Sequence, residues 1–255
     1  MSFAASDSCR SIMQNWLEPK YLAWLEQGFV VTLMLSACAG CCATLLGFAL
    51  AVASTARHAV LARAAASYVF VFRNSPLLVQ LLFWYFGAAA LLPADWMTWL
   101  NTPHAVTLGP LALRWPSFEL FAGWIGLTCY TTAFIGEEFR AGMRGVSVAQ
   151  EQAAAALGMS RYAALRHVIL PQALRIATPP LAGQYMNLVK NSSLTMAIGV
   201  AELSYMSRQV DTESFRTFQA FGTATVFYVL TIAAIEAALA VWQRTGVRAL
   251  RRGHA

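Results

Sequence analysis

The sequence predicts an all-α polytopic membrane protein with about five transmembrane helices, its N-terminus outside and its C-terminus in the cytoplasm. Three observations carry that expectation. Only 12% of the 255 residues are charged and 58% are hydrophobic, against roughly 25% charged in a soluble domain. The apolar residues gather into runs of membrane length. The arginines fall into alternate loops between those runs.

Taken in order, residues 1–27 form an outer N-terminal segment, in which Asp7, Glu18 and Glu26 balance Arg10 and Lys20. No cleavable signal is expected, because no basic stretch leads directly into an apolar one. Residues 28–243 form the transmembrane domain. Its first run, Gln27–Ala56, is uncharged and exceeds the roughly 20 residues a spanning helix needs. The second, Asn74–Ala94, opens with Arg73 as an interface anchor and Pro76 at a first helical position. The third, Leu120–Gly136, is short, but Phe118 and neighbouring aromatics extend it. The fourth, Ile176–Ala201, is broken by Pro179-Pro180 and carries Lys190, and the fifth is Thr217–Ile235. Residues 244–255 make a basic cytoplasmic tail.

Lysine and arginine mark cytoplasmic loops. Arg57, Arg63 and Arg73 follow the first span, and Arg140, Arg144, Arg161, Arg166 and Arg175 follow the third. Arg244, Arg248, Arg251 and Arg252 follow the fifth, so these segments hold twelve of the 18 basic residues. The loops Pro93–Ser117 and Glu202–Arg216 then lie outside. Five spans satisfy this alternation and four do not. The same bias accounts for the net charge of +6, so membrane lipid is an expected partner and nucleic acid is not. Trp84, Tyr85, Trp96, Trp99, Trp115 and Trp124 read as an interfacial aromatic belt. Cys38, Cys41 and Cys42 lie mid-span and read as small packing residues at a helix interface, without disulfide or metal. His58, His104, His167 and His254 are scattered. No catalytic residue, metal site or cofactor is expected.

Between the third and fourth spans lies a polar insert, EQAAAALGMSRYAALRHVILPQA, from Glu151 to Ala173. Strong helix formers fill Val148–Leu157. Gly158 suits a left-handed helix end, and Ser160 suits the cap of a second helix. Pro171 then marks a bend into the fourth span. Two readings stand: a small-faced knob that docks in a partner's groove, or an interfacial helix whose Arg161 and Arg166 meet lipid head groups.

Intramembrane polar residues are costly and point to function. The densest set is Asn187, Lys190, Asn191, Ser192 and Ser193. Asn187, Lys190, Asn191 and Leu194 stand at i, i+3, i+4 and i+7, on one helix face, which we expect to line a substrate pathway. Lys190 is read either as binding a substrate carboxylate, or as pairing with Glu202 or Glu236, or as snorkelling. Glu137 and Glu138 read as a solvated helix end rather than a gate.

The insert resembles the signature loop of ABC importer membrane subunits, E-A-A-x3-G-x9-I-x-L-P. Ala153, Ala154, Gly158, Leu170 and Pro171 fall on the pattern, and Val168 takes the isoleucine position. Gln152 stands at the glutamate position, with Glu151 one residue early. FRNSPLLVQLLFWYFG (Phe72–Gly87), TPPLAGQYMNLVKNSSL (Thr178–Leu194) and YLAWLEQGFVVTL (Tyr21–Leu33) are similar to stretches of the polar amino-acid importers, the last most closely in glutamate/aspartate members. The resemblance implies an ATPase-coupling loop of about residues 148–171, with Gln150, Glu151, Gln152, Ala153, Ala154, Gly158, Arg161 and Pro171 as its coupling residues. It also implies an ABC ATPase subunit dimer, a second permease subunit (alike or related), and an extracytoplasmic amino-acid-binding protein as partners. The implied function is permease of an ATP-driven importer in a bacterial inner membrane, with an amino acid, glutamate or aspartate, as substrate. No G-x-x-x-x-G-K-[ST] occurs in the chain, so ATP hydrolysis is expected in a separate subunit. The rival readings are an importer of other polar or basic amino acids or opines, an ion-coupled secondary carrier, and a membrane enzyme.

Overall fold

The computed structural model describes residues 16–56, 58–102, 105–108, 111–114 and 117–252, without the side chains of 105–114 and 242–252. Cys9, Arg57, His104, Trp115 and His254 lie outside what is described.

The first helix, α1 (Pro19–Ser54), starts eight residues before the expected span, so most of the segment between Pro19 and Gln27 is helical. Its buried stripe is Leu25, Gly28, Thr32, Leu35, Ala39, Gly40, Ala43, Gly47 and Ala51. Small residues at three- and four-residue spacing let a neighbouring backbone approach closely. The neighbour is α5 (Phe118–Arg144). A Cβ added to Gly47 would stand 3.0 Å from the backbone nitrogen of Gly136 and 2.7 Å from Ile135 Cγ2. The two helices are thus joined along a seam that only glycine permits.

Among the described residues three helices are long and apolar enough to cross a membrane: α1, α5, and α10 (Thr217–Arg252) over Thr217–Val241. The stretch read as a loop after the first span is instead a helix, α2 (Ala59–Asn74). It meets α3 (Leu77–Leu91) at 105°, and this bent pair makes a fourth candidate span. The corner is Asn74-Ser75-Pro76. Buried Gln80 holds it, donating Nε2 to Phe72 O at 3.0 Å, Ser75 O at 3.2 Å and Ser75 Oγ at 2.8 Å. A π turn at Phe83–Gly87 interrupts α3.

The outer loop read at 93–117 holds α4 (Ala94–Asn101) and an antiparallel hairpin, β1 (Ala105–Leu108) with β2 (Leu111–Arg114), in register Ala105↔Arg114. The aromatic belt divides. Trp96 and Trp99 on α4 are exposed, whereas Trp84, Tyr85 and Trp124 pack against the core of Leu35, Leu77, Leu81, Leu127 and Leu188. Cys38 and Cys41 face outward from the chain instead of packing within it. Among the described residues no cluster suits a metal.

The polar insert forms α6 (Val148–Ala156) and α7 (Arg161–Ala164). The chain then runs through a π turn, Leu165–Ile169, into α8 (Leu170–Asn191). Pro171 does not bend the chain away. It sits in the first turn of α8, where a missing N–H costs least. The helix also passes through Pro179 and Pro180 without breaking. It packs against α1, α5 and α10. A 3-10 segment, Ser192–Ile198, ends at Gly199 with φ +88°, and α9 (Leu203–Ser214) follows. The basic tail is no separate element, since α10 continues to Arg252.

Glu202, fully buried, ties three elements together and makes no ion pair with Lys190 or another cation among the described residues. Its carboxylate caps α9, accepting from Ser204 N at 2.9 Å and Tyr205 N at 2.8 Å, and from Tyr228 Oη of α10 at 2.9 Å. Thr32 of α1 donates to it at 3.4 Å and accepts from Leu203 N at 3.1 Å. Glu202→Ala strips several buried donors of their acceptor, at about 1–3 kcal/mol for a buried group left unsatisfied. Thermal unfolding of the purified protein should rank wild type above Glu202→Gln and Glu202→Ala lowest. Equal stability of the three would show that the network does not hold α9 in place.

Candidate functional site: an exposed knob and a polar helix face

The knob is α6 with its following turn. Ser147 caps it, accepting from Ala149 N, and Ser160 caps α7, accepting from Ala163 N at 3.2 Å. Gly158 has φ +75°, a conformation L side chains rarely adopt. Its amide donates to Ala155 O at 3.0 Å, and Met159 N donates to Ala154 O at 3.1 Å. These bonds close the α6 end and reverse the chain. The helix–glycine–helix geometry read from the sequence is therefore present.

Ala154 alone in α6 is buried, and it anchors the knob. Gln150, Glu151, Gln152, Ala153, Gly158 and Arg161 are all exposed. Val148, Leu157 and Tyr162 are exposed too, Leu157 by 82%. Exposed apolar groups beside small alanines make a surface suited to a groove. The sequence reading missed Val148 and Leu157, although both flank the alanine run. Gln172 donates Nε2 to Val168 O at 2.9 Å and reaches Gln150 Oε1 at 3.5 Å, which steadies the knob against α8.

Asn187 and Lys190 are exposed near the end of α8, with half-buried Asn191 next and exposed Leu194 beyond. Asn187, Lys190 and Asn191 share one side of α8, whereas Leu194 lies in the 3-10 segment beyond it. Lys190 has no ion pair or hydrogen bond at Nζ among the described residues. Ser192 departs from the expectation. It is fully buried and its hydroxyl turns back to Val189 O at 2.8 Å. Ser193 Oγ likewise donates to Lys190 O at 2.7 Å. The 3-10 winding after Asn191 rotates both serines off the α-helical register.

Glu137 and Glu138 are not merely solvated. Arg140 Nε donates to Glu137 Oε1 at 2.7 Å, its Nη2 bonds the other oxygen, and Arg73 Nη1 lies 3.7 Å away. Glu138 Oε1 accepts from Gln184 Nε2 of α8 at 2.9 Å. These contacts link α5 to α2 and α8.

The architecture and these two surfaces define a class: a polytopic helical membrane subunit with a structured knob outside its bundle. Residues 43–252 match the family described as binding-protein-dependent transport system inner membrane component. The chain belongs to that family. It is accordingly a multi-pass transport subunit of the inner membrane and not an enzyme, and ATP hydrolysis resides in a separate subunit. It is 32% identical over 225 residues to the glutamate/aspartate import permease protein GltJ of Escherichia coli (strain K12), covering 88% of this chain and 87% of that one. It is 36% identical over 206 residues to the probable glutamine ABC transporter permease protein GlnM of Bacillus subtilis (strain 168), covering 80% and 85%. Among solved structures, an amino acid ABC transporter with histidines superposes with a TM-score of 0.75 at 26% identity, over 89% of this chain and 95% of that one.

Proposed function

We propose that this chain is one of two pathway-forming permease subunits of an ATP-driven amino-acid importer, and that its substrate is glutamate or aspartate. The observation that supports this best is the exposed Asn187–Lys190–Asn191 face on a helix packed among the spans. A lysine and two asparagines facing lipid are costly, so such a face belongs against water or another subunit. A second permease, alike or related, completes the pathway. The knob at α6 docks in an ATPase subunit, and a soluble binding protein delivers the substrate from outside. ATP binding closes the ATPase dimer, the knob follows, and the spans alternate their access. The arginine distribution supports a cytoplasmic knob and C-terminus, an outer N-terminus and five crossings. The relation to the glutamate/aspartate permease supports the acidic substrate. That to the probable glutamine permease favours a second reading, a neutral polar substrate.

Uptake of radiolabelled glutamate tests both, in vesicles holding the complete importer with and without internal ATP. Competition by unlabelled aspartate but not glutamine, arginine or histidine is expected. Competition by glutamine alone selects the second reading. Uptake that needs only an ion gradient refutes the importer mechanism.

A further inference from the structure

A cleft of about 630 Å³ opens between α2 and α5, and neither the knob nor the polar face uses it. One wall is cationic: Arg73, Arg140 and Arg144 line it with a single carboxylate, Glu137. Arg140 spends its donors on Glu137. Arg73 lies 3.7 Å from the same carboxylate and rests its guanidinium over the Phe134 ring, 5.1 Å from the centroid. Arg144 has no ion pair or hydrogen bond among the described residues. Three guanidiniums against one carboxylate leave an excess of positive charge with unused donors. Apart from Arg73 at its end, the α2 side of the cleft is apolar, made by Ala62, Ala66 and Phe70. Phe70 is 69% exposed, and Val71 beside it 55%, so apolar surface continues out of the cleft along α2.

A cationic floor beside an apolar wall fits a ligand with an anionic head and a hydrocarbon tail. A free amino acid or inorganic anion would leave the apolar wall bare. Basic pockets between helices on the cytoplasmic side of a membrane bind anionic head groups. We infer that this cleft is a binding site for an anionic phospholipid of the inner leaflet, its phosphate held by Arg73 and Arg144 and one acyl chain lying along Phe70 and Val71. The leaflet rests on the orientation proposed above, whereas the head-group chemistry does not. The bound lipid fills the angle between α2 and α5 and clamps the bent α2–α3 pair to α5.

The test uses the complete importer in detergent, incubated with dioleoylphosphatidylglycerol, dioleoylphosphatidylcholine or inorganic phosphate, with retained lipid counted by native mass spectrometry. Phosphatidylglycerol should be retained selectively, and its affinity should fall roughly fivefold for each guanidinium removed in Arg144→Gln and in Arg73→Gln/Arg144→Gln. Equal retention of the two lipids, or unchanged retention in the double variant, overturns the inference. Displacement of phosphatidylglycerol by millimolar phosphate assigns the cleft to a free anion and overturns it as well. A second measurement needs no arginine variant. A cysteine placed by Ala66→Cys should be shielded from a soluble maleimide by phosphatidylglycerol and not by phosphatidylcholine. A disulfide between two copies through that cysteine would give the cleft to the subunit interface instead.

Discussion

Gly158→Arg should leave a membrane-inserted importer that hydrolyses ATP but no longer transports. Two effects act at this position. The φ of +75° imposes on any L side chain a backbone strain of about 1–3 kcal/mol. Bulk is the second. A Cβ at Gly158 meets nothing within 4 Å inside the subunit, so a side chain starts into open space and the fold is expected to be kept. The side chain projects instead from the exposed end of the knob, where we place the ATPase groove. Uptake should fall by more than about tenfold, which corresponds to a coupling loss of only about 1.4 kcal/mol. Gly158→Ala adds the strain with little bulk and should lie between wild type and arginine. The measurements are uptake and ATPase rate on the same reconstituted complexes. Wild-type uptake by Gly158→Arg would remove the knob from the mechanism.

The second large effect is expected at Lys190. Lys190→Ala should reduce uptake to background while the importer still assembles and purifies intact. Lys190 is exposed and unpaired among the described residues, so its removal strands no buried charge. It also sits in the last turn of α8, where a cation offsets the carbonyl ends of the helix. That contribution is about 0.3–1 kcal/mol, too small to disrupt assembly. Loss of uptake with normal assembly therefore separates a pathway role from a structural one. Lys190→Arg keeps the charge and should retain part of the uptake. Normal uptake by Lys190→Ala would refute a pathway role.

Much of this molecule was legible in the sequence because its strongest signals are local. Gly158 and Ser160 announce a helix end and a helix start by backbone chemistry alone, and both hold in the structure. The three most apolar helices follow from uninterrupted runs. Features that depend on distant partners were not legible. Composition marked α2 as a loop because of its arginines, yet its far side packs on α5 and α1. Pro171, Pro179 and Pro180 suggested breaks, but the first uses the opening turn of α8 and the others are carried within it. Ser192 belongs to the same polar run as Lys190 but stands about 200° round the helix from it, so it turns into the bundle and is buried. Glu202 is invisible as a buried group until Thr32 and Tyr228, remote in the chain, close around it.

The unbroken path from α7 to α8 has a mechanical meaning. From Arg161 to Asn191 the chain is one helical rod, about 45 Å long at about 1.5 Å per residue. One end carries the turn where we place the ATPase partner, and the other carries Lys190. Such a rod is stiff where its hydrogen bonds repeat and compliant where they do not, at the π turn beside the knob and at the proline pair midway. It lies closely against α5 at Gly142, where an added Cβ would stand 2.6 Å from Ala173 O, and a pivot there would make the rod a jointed lever. From a pivot at Ala173 to Lys190 the arm is about 26 Å, so a swing of about 5° would become a sideways displacement of about 2 Å. That is more than the length of a carbon–carbon bond, enough to make or break a hydrogen bond without any helix sliding along its axis.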